Sequence, residues 1–244
     1  MKLEEIAGKI ASDPLSVFEY LRMEDVGARI TAVDAYIDLL SRDESLVRGS
    51  ISDFVEILGA ELLPSLAVRQ DAEGIGALSR IVSRLGDMAL ALSKPTALLG
   101  LIDKPLFEIA SHPSARVVSV TIGALGKIFR AMPEEFSIER ATRFLSFLSS
   151  EDPAIVAASA LAWGGIARVG SDRGAMAVSR IFALLEDPSS EVRNQAVGYF
   201  FSLAQTMPAR CAFALPVLRK VRDSDSDNAV RERAAAAVLA ITKI

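Results

Sequence analysis

The stretch DPSSEVRNQAVGYFFSL, residues 187–203, has the features of one amphipathic helix behind a tight turn. Asp187 precedes Pro188, and this pair favours a helix start because the carboxylate can accept from free backbone N–H groups and proline has no N–H to leave unsatisfied. Apolar residues then recur at spacings of three and four, which places them on one helical face. These residues are Val192, Ala196, Val197, Phe200 and Leu203. The stretch therefore predicts a helix that buries one side only.

Parts of this stretch recur along the chain. The shared pattern is an apolar residue, usually followed by arginine, with a small residue three positions further on. The matches are Ala28–Arg29 with Ala32, Val68–Arg69 with Ala72, Val117–Val118 with Thr121, Val156–Ala157 with Ala160, Val192–Arg193 with Ala196, and Val230–Arg231 with Ala234. The steps between them run from 36 to 49 residues, which is too long for one helix and suits a helix pair. Since each pair can bury its apolar sides only against its neighbours, the pattern predicts a solenoid.

The pattern resembles the HEAT-like repeat family. The resemblance covers residues 25–244 loosely and 112–244 well, and it implies an all-α fold, a right-handed superhelix of about five to six helical hairpins. It also implies a ladder of Asp–Arg pairs along the turns, interrupted where Val118 and Ala157 replace arginine. Such a motif indicates architecture and is nearly silent about function. The residues that carry it are Asp187–Pro188 with Val192–Arg193 and Ala196, Asp152–Pro153 with Val156 and Ala160, and Asp227 with Val230–Arg231 and Ala234.

The repeats predict one domain over residues 1–244. Within it, residues 1–24 form N-terminal cap helices, 25–226 the hairpins and 227–244 a C-terminal capping helix. Pro64 predicts the end of the helix that starts near Glu44, and the second repeat is expected to start at Pro64–Ser65 and to run to about Leu85. This leaves residues 86–95 as an insertion, which is either a short packed helix or a mobile loop.

Composition and charge constrain the setting. The chain is 51% hydrophobic with a net charge of -4. Residues 1–110 hold 11 Lys and Arg against 18 Asp and Glu, whereas residues 111–244 hold 16 against 13. Cys211 is the only cysteine, which favours a reducing compartment. The start lacks the apolar core of a signal peptide, and no apolar run approaches the roughly 20 residues that span a bilayer. We therefore expect a cytoplasmic protein that has no membrane segment.

Few residues suit catalysis or metal binding. His112 is the sole histidine and shares the register of Asp152 and Asp187, so we predict a turn residue. The iron-binding His–Glu pairs of some hydroxylases with a HEAT-like fold are absent from the sequence. Cys211 lies beside Arg210, but no histidine is available nearby as a base, so we predict a packed and inert thiol. We expect no catalytic residue, no metal and no cofactor.

Three alternating aspartates look at first like a calcium loop. Asp223, Asp225 and Asp227 alternate in the required way. Asn228 stands where such a loop needs glycine, and Ala234 stands where it needs glutamate. These aspartates therefore predict a solvated turn before the last helix.

The second helices of the hairpins supply the one candidate site. They align as DFVEIL from Asp53, PLFEIA from Pro105, RFLSFL from Arg143, RIFALL from Arg180 and PVLRKV from Pro216. Positions two, three, five and six are mostly apolar, so positions one and four face the more exposed side. In proteins that this chain resembles, second helices line the concave face, and the resemblance implies a groove with an acidic N-terminal end and a basic C-terminal end. The acidic residues are Asp53, Glu56 and Glu108, and the basic residues are Arg143, Arg180 and Arg219, extended by Arg140, Lys220 and Arg222.

This groove predicts a non-catalytic interaction or scaffold module. Its partner is a protein or peptide with acidic residues opposite the arginine end, because the arginine fork binds carboxylates bidentately. The same residues are also compatible with a solvated surface that binds nothing, or with an accessory subunit of a larger enzyme. Nucleic-acid binding, as in some DNA glycosylases of HEAT-like fold, is the alternative function. The acidic half of the chain disfavours it, because such proteins need a broad basic surface.

Overall fold

Helices form all the regular structure of the computed structural model, which describes residues 2–242 and their side chains except those of residues 102 and 103. No β-strand occurs in this part of the chain, so the predicted all-α class is confirmed. The helices form two compact units, one ending at Ala131 and the other starting at Met132. We call them the N-terminal and the C-terminal unit. A single domain over residues 1–244 stays a prediction.

The N-terminal unit begins with two short helices and continues with hairpins; a capping role for residues 1–24 stays a prediction. In chain order its helices are α1 (Leu3–Ser12), α2 (Val17–Leu21), α3 (Val26–Arg42), α4 (Ile51–Ile57), α5 (Leu63–Ala67), α6 (Ala72–Ala91), α7 (Leu99–Leu101), α8 (Phe107–Ile109) and α9 (Ala115–Ala131). The first helices α3, α6 and α9 pack side by side in that order, and α1 packs against α3. The second helices are broken: a π-helical turn, Leu58–Leu62, joins α4 to α5, and another, Ile102–Leu106, joins α7 to α8.

The C-terminal unit alternates second and first helices more regularly. Its helices are α10 (Ile138–Leu145), α11 (Pro153–Ala167), α12 (Val178–Ala183), α13 (Ser190–Ala204), α14 (Leu215–Ser224) and α15 (Asn228–Thr242). The first helices α11, α13 and α15 pack in sequence as one layer. Short 3-10 turns extend α10 and α12 at their C-terminal ends and α14 at its N-terminal end. The final helix was expected over residues 227–244, of which 243 and 244 lie outside the described residues.

Most first helices start behind a side-chain cap that the sequence supplies. The carboxylates of Asp25, Asp71, Asp152 and Asp227 each accept a hydrogen bond of 2.7 to 2.9 Å from a backbone N–H two or three residues ahead. The Ser189 hydroxyl accepts from the N–H at the start of α13. These bonds satisfy N–H groups that have no partner inside the helix. The cap residues thus set where each first helix begins.

An arginine four residues after the cap holds the preceding turn. Arg29, Arg193 and Arg231 each donate to the backbone carbonyl six residues earlier. Arg193 also binds the Asp225 carboxylate in the next turn through Nε and Nη2, at 2.7 and 2.8 Å. The apolar Val118 in the middle of the chain has no group that could donate such a bond. The Asp–Arg ladder implied by the family resemblance therefore has a rung at Arg193 and none at Val118.

The second repeat begins later than predicted, and the match at Val68–Arg69 is wrong. Val68 is 77% exposed, and both residues lie in the turn before α6. Arg69 binds the carboxylates of Asp71 and Glu73 at 2.6 and 2.7 Å. Arg69 therefore stabilises the start of α6 from the turn that precedes the helix. The sequence pattern predicts it inside the helix.

The predicted helix end at Pro64 is also wrong. Pro64 is the second residue of α5 and lies two residues after the end of the π-helical turn Leu58–Leu62. Proline lacks an N–H and its ring crowds the carbonyl four residues earlier, which usually stops an α-helix. A wider turn with i to i+5 bonding removes that conflict. The second helix consequently continues to Ala67.

Residues 86–91 are the C-terminal part of α6 rather than an insertion. Met88 and Ala89 are buried. Gly86 lies against α9, where a Cβ would be 3.0 Å from the Ala124 Cα, so the missing side chain permits a close approach of the two helices. The long step in the sequence pattern therefore reflects the misplaced match at Arg69 and a long first helix.

Aromatic residues fill the core of each unit. In the N-terminal unit Tyr36 stacks on Phe54 with ring centroids 4.1 Å apart. In the C-terminal unit the buried Trp163 meets Phe136 and Phe144 at 5.4 and 5.5 Å. Such contacts stabilise beyond the area they bury. Among the described helices, none combines the length and the apolar character needed to cross a bilayer.

Candidate functional site

The second helices of the C-terminal unit expose the arginines that the sequence register singled out. In α10, Phe144 is buried, and Leu148 is buried in the turn that follows, while Arg143 is exposed. In α12, Ile181 is buried and Arg180 is exposed. This alternation follows from helical periodicity, since residues three or four apart share a face. Arg143, Arg180 and the exposed Arg219 of α14 are called the basic surface here.

Arg180 is anchored to the preceding hairpin. Its Nη1 donates to the Leu145 carbonyl at 3.2 Å and to the Ser149 hydroxyl at 2.9 Å. The carbonyls at a helix C-terminus attract cations because they carry the negative end of the helix dipole. These bonds fix the guanidinium while the side chain stays exposed and its remaining N–H groups have no partner among the described residues.

Arg219 and Lys220 differ although they are neighbours in α14. Lys220 pairs with Glu186 at 2.7 Å, and both side chains are exposed. The hydrogen bond from Lys220 lowers the pKa of Glu186 below its ordinary value. Arg219 makes no hydrogen bond or ion pair with any residue that the structure describes. Glu186 thus compensates one of the predicted basic residues, and Arg219 keeps its full donor capacity.

Arg140 and Arg222 are half-buried and contact their own neighbours. Arg140 donates from Nη1 to the Glu135 carbonyl at 2.5 Å and lies 3.8 Å from the Glu135 carboxylate. Arg222 binds both carboxylate oxygens of Asp223 at 2.7 and 2.9 Å. The register did not anticipate these two acidic residues. Glu135 lies before α10 and Asp223 lies in the last turn of α14, and both fall outside the aligned six-residue segments.

In the N-terminal unit, α4 and the π-helical turn after it carry carboxylates that have no ion pair among the described residues. Asp53 and Glu56 of α4 are exposed and line a cavity of about 390 Å³. Glu61, in the π-helical turn, lines the same cavity and was missed by the register, which ends before it. None of the three has an ion pair in the described part of the chain, and Arg22 is the one basic residue along the cavity. These three carboxylates are called the acidic surface.

Glu108, the third predicted acidic residue, lies at a separate cavity of the same unit. It is exposed on α8 and lines a space of about 260 Å³ next to His112. His112 occupies the turn before α9, as predicted, and its Nδ1 accepts from the Ser114 N–H at 3.0 Å. The predicted alignment with Asp187 is confirmed, because the Asp187 carboxylate likewise accepts from the N–H two residues ahead, that of Ser189, at 2.8 Å. The predicted alignment with Asp152 is off by two residues, because Asp152 is itself the cap of α11.

The remaining candidates for chemistry have structural roles. Cys211 is fully buried, and burial raises the pKa of its thiol to about 12, so little thiolate forms at neutral pH. Asp225 is bound by Arg193 and accepts from the Asp227 N–H at 2.9 Å. Within residues 2–242, side chains 102 and 103 excepted, no cluster of three or more His, Cys, Asp or Glu is arranged to hold a metal ion.

No protein-family model and no curated protein sequence matches this chain. Solved structures do resemble it. A designed armadillo repeat protein in complex with the peptide (KR)4 has a TM-score of 0.64 and 19% identity, covering 93% of this chain and 98% of that chain. A computationally designed armadillo repeat protein for modular peptide recognition has a TM-score of 0.60 and 18% identity, covering 92% and 98%.

A natural protein shares the architecture as well. The archaeal HEAT-like repeats protein from Thermococcus onnurineus NA1 has a TM-score of 0.59 and 15% identity, covering 98% of this chain and 92% of that chain. The TM-scores establish the fold, and identities this low leave the function open. The chain therefore has the fold of an α-helical repeat solenoid of the armadillo and HEAT-like type.

Proposed function

We propose that this protein is a non-catalytic binding module that holds a protein or peptide on its second helices, with acidic residues of the partner on the basic surface. The observation that carries the proposal is the anchoring of Arg180 by Leu145 and Ser149. A guanidinium already held in place loses little conformational freedom when it binds a carboxylate. Its exposed N–H groups suit a bidentate contact.

The designed relatives support a peptide as one class of partner. One was solved with the peptide (KR)4, and another was designed for modular peptide recognition. For this chain, the acidic surface of the N-terminal unit suits basic residues of a partner, because Asp53, Glu56 and Glu61 have no ion pairs among the described residues. Opposite charges on two partners favour their association and its orientation.

A protein partner is favoured over nucleic acid by the arrangement of charges in the C-terminal unit. Glu186 pairs with Lys220, and Asp223 pairs with Arg222. Phosphate binding draws on many unpaired cations whose counterions are released. Interleaved carboxylates oppose a phosphate backbone, whereas a protein partner can place single carboxylates against single arginines.

Affinity capture from a lysate of the source organism tests the proposal. The chain is immobilised as wild type, as Arg180→Glu with Arg219→Glu, and as Arg116→Glu. Arg116 is the matched control for Arg219, because it is exposed on the first helix α9 and has no ion pair among the described residues. Circular dichroism checks that each variant keeps its helices.

We expect a partner that wild type and Arg116→Glu retain and that the double variant loses by at least about tenfold, the effect of roughly 1.4 kcal/mol in binding. Equal capture by all three proteins would refute the role of the basic surface. Equal loss from both variants would refute it too, because one substitution on a first helix would then weaken binding as much as two on the basic surface.

A further inference from the structure

A small cavity in the N-terminal unit lies between α5 and the segment that leads from α8 into α9. Its volume is about 260 Å³. Ligand pockets for drug-sized molecules measure about 300–1,000 Å³, so this space suits a single large side chain. Its walls are mostly apolar, and the polar residues on it are Glu108, Ser111 and His112. The apolar lining consists of Leu63, Pro64, Ala67, Pro105, Ile109 and Pro113.

His112, one of the residues that line this cavity, carries a hydrogen-bond donor without a partner among the described residues. The residue is 8% exposed, and its Nδ1 accepts from the Ser114 N–H. Because Nδ1 acts as an acceptor, the proton of the neutral ring is on Nε2. Nε2 is shielded from water and has no hydrogen-bond partner among the described residues. A buried donor without a partner is unfavourable, and a ligand that supplies an acceptor relieves that cost.

Comparison with another turn of the chain shows why this donor stands alone. Asp225 occupies the same position two residues before a first-helix cap, and Arg193 binds both oxygens of its carboxylate. Before α9 the side chain is an imidazole, whose free nitrogen needs an acceptor. Ile75 stands where the preceding first helix would carry the arginine, four residues after the Asp71 cap, and it has no polar side-chain atom.

We propose that this cavity binds a tyrosine side chain of the partner, with the phenol oxygen accepting from His112 Nε2. The proposal rests on the function proposed above and names one residue that the partner contributes. The ring fits the apolar walls, and tyrosine ranks among the residues that anchor interfaces. Because Nε2 is shielded in the free protein, this contact requires the imidazole to turn toward the cavity as the phenol enters.

Hydrogen-bonding chemistry selects tyrosine over the other aromatic residues. Phenylalanine offers no acceptor, and the tryptophan N–H is a donor only. A phenol accepts and donates at one oxygen. The Glu108 carboxylate, exposed at the same cavity and without an ion pair among the described residues, is available to accept the phenol hydrogen.

NMR of the single histidine tests the pocket in the full chain without any partner. Because His112 is the only histidine, its ring signals need no assignment by mutation. p-Cresol, the tyrosine side-chain analogue, is titrated against toluene, the phenylalanine analogue, while long-range ¹H–¹⁵N spectra follow Nε2. We expect a saturable Nε2 shift with p-cresol and a roughly 3- to 10-fold weaker affinity for toluene, the effect of one hydrogen bond.

Two variants tie the signal to the cavity. Ala67→Phe fills the space from its wall and should abolish the saturable shift, whereas Ala183→Phe, on an exposed site of α12, should leave it unchanged. A p-cresol titration without saturation, equal affinity for toluene, or an unchanged response in Ala67→Phe would each overturn the proposal. If p-cresol binds as expected but the affinity capture fails, the role of the basic surface is refuted and the pocket is not. If the affinity capture succeeds but p-cresol does not bind, only the pocket is refuted.

Discussion

At the scale of single residues, the pair of Arg193 and Asp225 does the most to join two neighbouring turns. Both side chains are nearly enclosed, at 12% and 5% exposure. Arg193 also donates to the Asp187 carbonyl at 2.8 Å and to the Pro188 carbonyl at 3.1 Å. All three nitrogens of this guanidinium, Nε, Nη1 and Nη2, therefore donate hydrogen bonds. These bonds offset the cost of removing two charges from water.

Arg193→Met should lower the free energy of unfolding by about 3 kcal/mol, because it leaves the Asp225 carboxylate enclosed and without its partner. Urea denaturation at pH 7 measures the loss. Lys220→Met is the matched control, since the Lys220–Glu186 pair is 68% and 62% exposed, and exposed pairs contribute little to stability. Similar losses in the two variants would contradict this account.

The same pair predicts how stability depends on pH. The hydrogen bonds from Arg193 are the main cause that lowers the pKa of Asp225 below its ordinary value. A carboxyl group with a lowered folded-state pKa stabilises the fold above its unfolded value, about 3.9, and loses that contribution as pH falls toward the folded value. Asp225→Asn should therefore be less stable than wild type at pH 7, and the difference should shrink below about pH 4. Urea denaturation of both proteins across this pH range measures the change.

The exposed arginines of the candidate site follow from sequence, but their partners do not. Helical spacing places Arg143 and Arg180 on the exposed side of their helices because Phe144 and Ile181 must be buried. Spacing within one helix carries no information about the next hairpin. The contacts of Arg180 with Ser149 and of Lys220 with Glu186 join different hairpins and become visible only in the structure.

At the scale of elements, α6 and α9 approach closely because Gly86 lacks a side chain. A Cβ at Gly86 would be 3.0 Å from the Ala124 backbone and 2.9 Å from the Lys127 side chain. Gly123 is also a glycine inside a helix, α9, but a Cβ added there would meet no neighbouring atom within 4 Å. A substitution at Gly123 therefore changes only the helix propensity, whereas one at Gly86 also changes the packing against α9.

Gly123→Ala should stabilise the protein by up to about 1 kcal/mol, because alanine favours the helix by that amount. Gly86→Ala has the same propensity gain but overpacks the contact with α9, which costs about 1–3 kcal/mol, so we expect a net loss. Thermal and urea unfolding of both variants measure the difference. Equal stabilisation by both substitutions would show that the helices do not need this close approach.

Element boundaries were harder to predict than element type. The Asp caps at Asp25 and Asp227 mark two helix starts that the sequence located to within a residue. The helix end predicted at Pro64 was wrong because proline interrupts α-helical hydrogen bonding, whereas the residues before it form a π-helical turn. The predicted match at Val68–Arg69 was wrong because this short pattern also occurs in the turn before α6, whose cap is Asp71.

At the scale of the whole molecule, charge is divided along the chain. Residues 1–110 carry an excess of acidic residues and residues 111–244 an excess of basic residues. Carboxylates also pair with part of the basic excess in the C-terminal unit, at Glu186 and Asp223. A partner therefore meets a few separate charges on each unit.

This distribution predicts a shallow dependence of binding on salt. Raising the salt concentration from 50 to 200 mM should weaken the captured complex by less than about tenfold, because exposed ionic contacts are few and individually weak. A protein that neutralises six to ten phosphates loses roughly 10³–10⁵ over this range. Calorimetric titration at both concentrations measures the slope, and a loss of that size would favour the nucleic-acid alternative.

Hydrogen–deuterium exchange of the protein with and without its captured partner tests the central claim most directly. If the second helices hold the partner, exchange should slow in residues 138–149, 178–186 and 215–224 and stay unchanged in the first helices α11 and α13. Slowed exchange confined to α11 and α13 would contradict the claim, because the partner would then lie on the opposite layer of the C-terminal unit.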